Sequence, residues 1–234
     1  MNQLAGKIAL ITGASSGIGE GVAKGFAREG ASLVLVARRL DELEKLAASL
    51  PNAIAIQVDV TQEEQVQKAF ATTMEKLGRL DILVNNAGVF DGGPLHELSL
   101  EAWEKVMSVN LRGPFLCTKE AMKIMREQKG GRIINIGSIS AQRVRPNSAA
   151  YSTSKHGIVG LTQVTALEGR EFGISCGCLH PGNVAVERLA GRDEPSMQAS
   201  ELAEAVIAMA ALPPHITMLE TIVMPMHQPY IGRG

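Results

Sequence analysis

Lys7-Ile8-Ala9-Leu10-Ile11-Thr12-Gly13-Ala14-Ser15-Ser16-Gly17-Ile18-Gly19 decides the fold of this chain. The first six residues read as a short apolar strand. Three glycines follow in the spacing G-x-x-x-G-x-G, and a helical pattern runs on through Val22, Ala23 and Phe26 to a capping Gly30. A strand, a glycine turn and a helix N-terminus together offer backbone N–H groups to a pyrophosphate. Gly13 permits the tight turn, Gly17 lets the backbone approach phosphates, and Gly19 lets helix and strand pack closely, with Ser15, Ser16 and Ile18 filling the turn. A glycine-rich turn without a ligand is the competing reading, and the units that follow argue against it.

Ser32 to Ala37 reads as a second strand ending at Arg38-Arg39. An acid at this position would bind the adenosine ribose hydroxyls of NAD, whereas arginine suits the 2′-phosphate of NADP. No acid stands at positions 37 to 39, so NADP(H) is expected over NAD(H), with two surface arginines as the alternative. Asp41 and Glu42 fit the first turn of the next helix. The third strand, Ala53 to Val58, leads into Asp59-Val60. Asp59 either accepts from an adenine amino group or, with Thr61, starts a helix over 62–77. Asp81 to Val84 is a fourth strand, followed by Asn85-Asn86-Ala87-Gly88, small and amide residues that let a cofactor lie close. From Trp103 through Val106, Val109, Phe115 and Met122 the spacing predicts one long helix, kinked at Gly113-Pro114 and holding Asn110. Asparagine is unfavourable inside a helix, so a specific hydrogen bond is expected of it.

The fifth strand, Arg132 to Gly137, places Ser138 at its C-terminal end, the edge where open α/β sheets bind ligands. The next helix runs to about Phe172 and carries Tyr151 and Lys155, four residues apart and so on one face. An ammonium beside the phenol stabilises the phenolate and makes tyrosine a usable acid/base. A chance pair in a helix is the bland alternative. Strands over 174–179 and 219–224, with a helix over 200–211 between them, complete an α/β, doubly wound Rossmann domain spanning 1–234: a seven-stranded parallel sheet flanked by helices.

Net charge is −1 with both signs scattered, which leaves no basic footprint for a nucleic acid. No apolar run reaches the length of a membrane span. Residues 1–7 run straight into the first strand, so no signal peptide and a cytoplasmic location are expected. Cys117, Cys176 and Cys178 read as buried thiols and no metal site is expected, since thiolate sites need further donors nearby.

Taken in this order and spacing, Thr12 to Gly19, Asn85 to Gly88, Asn110, Ser138, Tyr151 with Lys155 thirteen and seventeen positions later, and Pro181-Gly182 resemble the short-chain dehydrogenase/reductase family along the whole chain. The resemblance implies that Tyr151 is proton donor in carbonyl reduction and base in alcohol oxidation. It implies that Lys155 assists Tyr151 and bonds the nicotinamide ribose, that Ser138 orients the substrate oxygen, and that Asn110 holds a water of a proton relay. It implies cofactor contacts from Gly13, Ser15, Ser16, Gly17, Ile18, Gly19, Arg38, Arg39, Asp59, Val60, Asn86, Ala87, Gly88, Pro181, Gly182 and Val184, and a homo-oligomer, tetramer or dimer.

Val186 stands where many members have a threonine, and residues 183–198 are short for a substrate-covering loop. The stretch from Leu212-Pro213-Pro214 to Gln228 resembles a subgroup of NADP-dependent 3-hydroxy acid and serine-type dehydrogenases. A pocket wall of Ser140, Gln142, Arg143 and Arg145 is expected, with Phe90, Asp91 and Asn183 opposite. Arg143 or Arg145 either recognises a substrate carboxylate or is solvated, and His180 either faces the nicotinamide or is a packed or solvated histidine. Three functions follow: a reductase or dehydrogenase of a small carbonyl/alcohol substrate, a non-redox epimerase or lyase, and a non-catalytic NADP(H) sensor.

Overall fold

In the computed structural model, which describes residues 2–186 and 194–229, seven parallel strands form one sheet in the order β3-β2-β1-β4-β5-β6-β7. The strands are β1 Ile8–Thr12, β2 Ser32–Ala37, β3 Ala53–Gln57, β4 Ile82–Asn85, β5 Gly131–Ile136, β6 Ile174–Pro181 and β7 Glu220–Val223. The helices are α1 Gly17–Arg28, α2 Leu40–Ala48, α3 Glu63–Leu77, α4 Leu100–Met107, α5 Gly113–Gln128, α6 Ala149–Gly169 and α7 Ala199–Ala210.

Alternation along the strands explains the two helical layers. Ala9, Ile11, Leu33 and Leu35 pack with α1 and α7 on one face; Leu10, Val34 and Val36 pack with α3 and α5 on the other. Every residue of β1 is buried, which is why it reads as a continuous apolar run. Helices α1 and α7 approach closely because small residues meet: a Cβ on Gly21 would stand 2.8 Å from Ala199, and one on Gly25 3.2 Å from Ala203. Phe26, fully buried in this layer, contributes about 1.5–3 kcal/mol of transfer free energy.

Chain order reverses between β1 and β4, which are hydrogen-bonded neighbours in register Ala9↔Ile82 and Leu10↔Leu83. The crevice opens beyond their C-terminal ends, where Gly13 and Asn86 emerge. β4 begins one residue later than expected, a difference within the usual spread of strand ends, and the Asp81 carboxylate accepts from the Ile8 N–H and from Arg79, fastening the foot of β1.

The long helix expected from Trp103 to Met122 exists as α4 and α5 joined through a π-helical turn, Ser108–Arg112. The distortion is a bulge rather than a kink at Gly113-Pro114. Pro114 has no N–H for the α-helical bond to the carbonyl of Asn110, and the Gly113 N–H bonds the Ser108 carbonyl five residues back. Asn110 lies inside this bulge. Among the described residues, no helix is long and apolar enough to cross a membrane. The role of Tyr230 to Gly234 and the middle of the 183–198 loop lie outside the described residues.

Candidate active site

Gly13 adopts φ +65° directly after β1, and a Cβ there would stand 2.8 Å from Ala87 Cα. A Cβ on Gly19 would overlap the Gly13 carbonyl oxygen. The turn is thus closed by backbone against backbone. Asn86 locks it, donating from Nδ2 to the Thr12 carbonyl (2.9 Å) and the Gly13 carbonyl (3.2 Å). Thr12 Oγ1 in turn accepts from the N–H groups of Asn86 and Ala87, each at 3.0 Å. Ser16 is the N-cap of α1 and its hydroxyl caps nothing, which leaves first-turn N–H groups of α1 without a side-chain acceptor. That cradle, lined by glycine and bare N–H groups, fits the pyrophosphate of a dinucleotide.

The two arginines after β2 diverge. Arg39 reaches the turn, donating to Ser15 Oγ at 3.2 Å and to the Ser15 carbonyl at 3.4 Å. Arg38 lines a groove of about 610 Å³ with Gln57, Asp59, Gln65 and Lys68. Asp59 Oδ1 accepts from the N–H and the hydroxyl of Thr61, so the carboxylate builds the turn before α3, whose N-cap is Gln62. Of the two readings of Asp59, the local turn is the one this structure displays. Val60 and Val184 are buried among core side chains, which leaves only their main chains for a cofactor. Val186 packs on the glycine turn, its Cγ1 3.1 Å from where a Gly17 Cβ would be. Pro181 ends β6 and the Gly182 N–H bonds the Val223 carbonyl at 2.8 Å.

The four expected catalytic residues converge at the ends of β4 and β5. Asn110 is 1 % exposed; its Oδ1 accepts from the Val89 N–H (2.8 Å), and its Nδ2 donates to the Val89 carbonyl (2.9 Å) and Ser154 Oγ (3.2 Å). Ser154 Oγ donates to the Tyr151 carbonyl at 2.7 Å. Both amide hydrogens of Asn110 are therefore committed to holding the Gly88–Val89 loop against α6. Lys155 is 5 % exposed, with Nζ 5.7 Å from the Tyr151 ring centroid and donating to the Ile136 carbonyl at 2.8 Å. No carboxylate forms a salt bridge with it among the described residues. Gly88 completes the cluster: a Cβ there would be 3.5 Å from Asn110 Oδ1 and 4.0 Å from Lys155 Nζ.

Ser138 follows β5 and Gly137, and its Oγ accepts from the Ser140 N–H at 3.1 Å, which leaves the hydroxyl proton available for donation. Ser140 is buried and Arg143 exposed, while Arg145 is half-buried. Across from them the Phe90 ring lies 5.3 Å from that of Tyr151 at 59°. Asp91, expected on the same wall, pairs with Lys105 at 2.9 Å, which holds its carboxyl below the usual range. Asn183 Nδ2 donates to Glu194 at 2.8 Å. His180 is wholly buried against Ser138 rather than solvated.

All three cysteines are free and buried, and burial pushes the Cys117 and Cys178 thiols up to about 12. They are inert at neutral pH. Two contributors escaped the sequence reading. Ser154 sits inside the Tyr151–Lys155 interval, but serine there carries no spacing signal of its own. Glu220, which bonds Gln142 at 2.6 Å, is 78 residues away from it and reads locally as an ordinary strand residue.

Residues 7–196 match the short chain dehydrogenase family. The oxidoreductase YxjF of Bacillus subtilis is 43% identical over 182 residues, 76% of this chain and 71% of that protein. A 3-oxoacyl-acyl-carrier-protein reductase of Synechocystis is 38% identical over 192 residues, 80% of this chain and 78% of that protein. The crystal structure of a short-chain type dehydrogenase/reductase from Mycobacterium marinum superposes with a TM-score of 0.89 at 31% identity, covering 96% of each chain.

Proposed function

This chain belongs to the short-chain dehydrogenase family, and from that premise we propose that it is an NADP(H)-dependent oxidoreductase interconverting a secondary alcohol and a ketone, aldehyde or keto acid. The family is one of nicotinamide-dependent oxidoreductases. The preference for NADP(H), the carbonyl/alcohol chemistry and the roles of individual residues are this proposal's own.

The observation that carries the reading is the buried ammonium of Lys155. A cation almost removed from water, with one carbonyl partner and no carboxylate among the described residues, favours negative charge next to it. Tyr151 is the neighbour able to develop it. As the carbonyl is reduced, the Tyr151 hydroxyl gives its proton to the forming alkoxide and the phenolate that remains faces Lys155. Ser138, whose Oγ already accepts from the Ser140 N–H, keeps its proton and donates a hydrogen bond to the same substrate oxygen. When bound, the nicotinamide supplies or accepts the hydride. Gly13, Gly17, Gly19 and the N–H groups of the α1 turn would hold the pyrophosphate, Arg39 beside Ser15 the 2′-phosphate, and Lys155 the nicotinamide ribose. Both Nδ2 hydrogens of Asn110 are taken by Val89 and Ser154, so for a relay water this residue offers only acceptors, the second lone pair of Oδ1 and its main-chain carbonyl.

The test follows NADPH and NADH oxidation against β-keto acids and uncharged ketones and aldehydes. NADPH is expected to be preferred, and Tyr151→Phe to lose about 10²–10⁴-fold in turnover while still binding NADPH. Full turnover in Tyr151→Phe would overturn the mechanism. The proposal extends to a homo-oligomer in a reducing compartment such as the cytoplasm. Phe115, Val164 and Leu167 are exposed on adjoining faces of α5 and α6, beside a groove of about 630 Å³. Light scattering should therefore return a multiple of the 24.9 kDa chain mass rather than the monomer.

A further inference from the structure

His180 is 0 % exposed at the end of β6, opposite Ile222 of β7. Its Nδ1 lies 3.2 Å from the Ser138 N–H nitrogen and 2.9 Å from the Ser138 carbonyl oxygen. The ring can come so near because residue 137 is glycine: a Cβ there would stand 2.5 Å from His180 Nδ1 and 2.8 Å from Cys178 Sγ. On the opposite side Nε2 lies 3.1 Å from Glu220 Oε1. That approach is not aligned as a hydrogen bond, and Nε2 is otherwise a buried polar atom without a partner. The same Oε1 accepts from Gln142 Nε2 at 2.6 Å, one residue past the short turn that Ser138 caps. The imidazole thus joins the backbone of Ser138 to the last strand of the sheet.

A neutral imidazole carries one proton, so its two sides are coupled. With the proton on Nε2, the ring faces the Glu220 carboxylate with a donor and Nδ1 accepts from the Ser138 N–H. With the proton on Nδ1, the ring donates to the Ser138 carbonyl and turns a lone pair toward the carboxylate. Burial holds the imidazole pKa below its ordinary value of 6.5, opposed by the Ser138 backbone and by Glu220, with Lys155 adding to the lowering.

We infer that His180 is a positioning residue for Ser138, its ring proton placed by Glu220, so that β7 sets the alignment of the hydroxyl that polarises the substrate oxygen. The inference rests on the reading of Ser138 as the residue that orients that oxygen.

A double-mutant cycle separates the two claims. His180→Leu, His180→Asn and Glu220→Gln are measured in the native background and in Ser138→Ala, for kcat, KM, NADPH affinity and Tm. His180→Leu should lower kcat by about tenfold, as expected for coupled residues in contact, with NADPH affinity unchanged. His180→Asn, whose amide puts a donor and an acceptor near the Nδ1 position, should recover most of the loss. Glu220→Gln should lower kcat by a smaller factor. In Ser138→Ala each of these effects should vanish. An equal loss of kcat with and without the Ser138 hydroxyl would mean that His180 only packs, and would overturn the inference. Full turnover in Ser138→Ala would instead remove the premise, and the inference with it. Should His180→Leu not fold, Glu220→Gln at its partly exposed side chain completes the same cycle with the same two outcomes.

Discussion

The two halves of the crevice are built by different means. At the β1–α1 edge the shape is made by backbone: Gly13 turns at φ +65°, Gly19 presses on the Gly13 carbonyl, and Asn86 ties main-chain carbonyls together. At the β5–α6 edge it is made by buried side chains that meet over long sequence distances. Asn110 reaches Val89 and Ser154, Lys155 reaches Ile136, and His180 lies between Ser138 and Glu220. A surface for binding a phosphate group can be made of repeated peptide units. A surface for moving a proton needs particular functional groups in fixed positions, and these must be held by further polar groups once water is excluded.

This contrast can be broken most forcefully at Gly19. A Cβ there overlaps the Gly13 carbonyl and stands 2.5 Å from Asn86 Nδ2. Gly19→Ala should cost about 1–3 kcal/mol by overpacking and abolish NADPH binding in a titration followed by fluorescence. Unchanged affinity would show that the turn is not the cradle.

Asn110→Ala sharpens the same contrast from the other side. It strips the Val89 N–H and carbonyl of their partners, a loss of about 1–2 kcal/mol for half-buried groups, read from urea unfolding. Turnover should fall while NADPH affinity holds to within about twofold, since the pyrophosphate cradle is untouched. A loss of affinity as large as that of Gly19→Ala would erase the distinction between the two edges.

The smallest effect concerns pH. Because burial lowers the His180 pKa below 6.5, the unfolded chain binds one more proton than the folded chain between the folded value and 6.5. Stability contributed by this site is full above 6.5 and declines as pH falls below it. Urea midpoints measured on either side of 6.5 should show that slope in the native chain, and His180→Asn should flatten it.

How much of this was legible in advance differs by region. The strand alternation, the glycine turn, the place of Ser138 at a strand end and the shared face of Tyr151 and Lys155 all follow from spacing within about ten residues. The kink expected at Gly113-Pro114 is instead a π-helical bulge at Ser108–Arg112, because the missing Pro114 N–H acts on the turn before it. Arg38 and Arg39 are adjacent and chemically identical, so nothing local could say that Arg39 turns to Ser15 and Arg38 to the α3 groove.

The sequence by itself determined the doubly wound sheet, the order of its motifs and the residue types at the crevice, since periodicity assigns each side chain to a face before any folding occurs. Only the tertiary structure decided which of those groups touch. Ser138 and His180 are 42 residues apart, Asn110 and Val89 are 21. Such pairs are set by which strands lie side by side, by their register and by a one-residue bulge. Those are properties of the assembled sheet, because a shift of one residue in register turns a side chain to the opposite face.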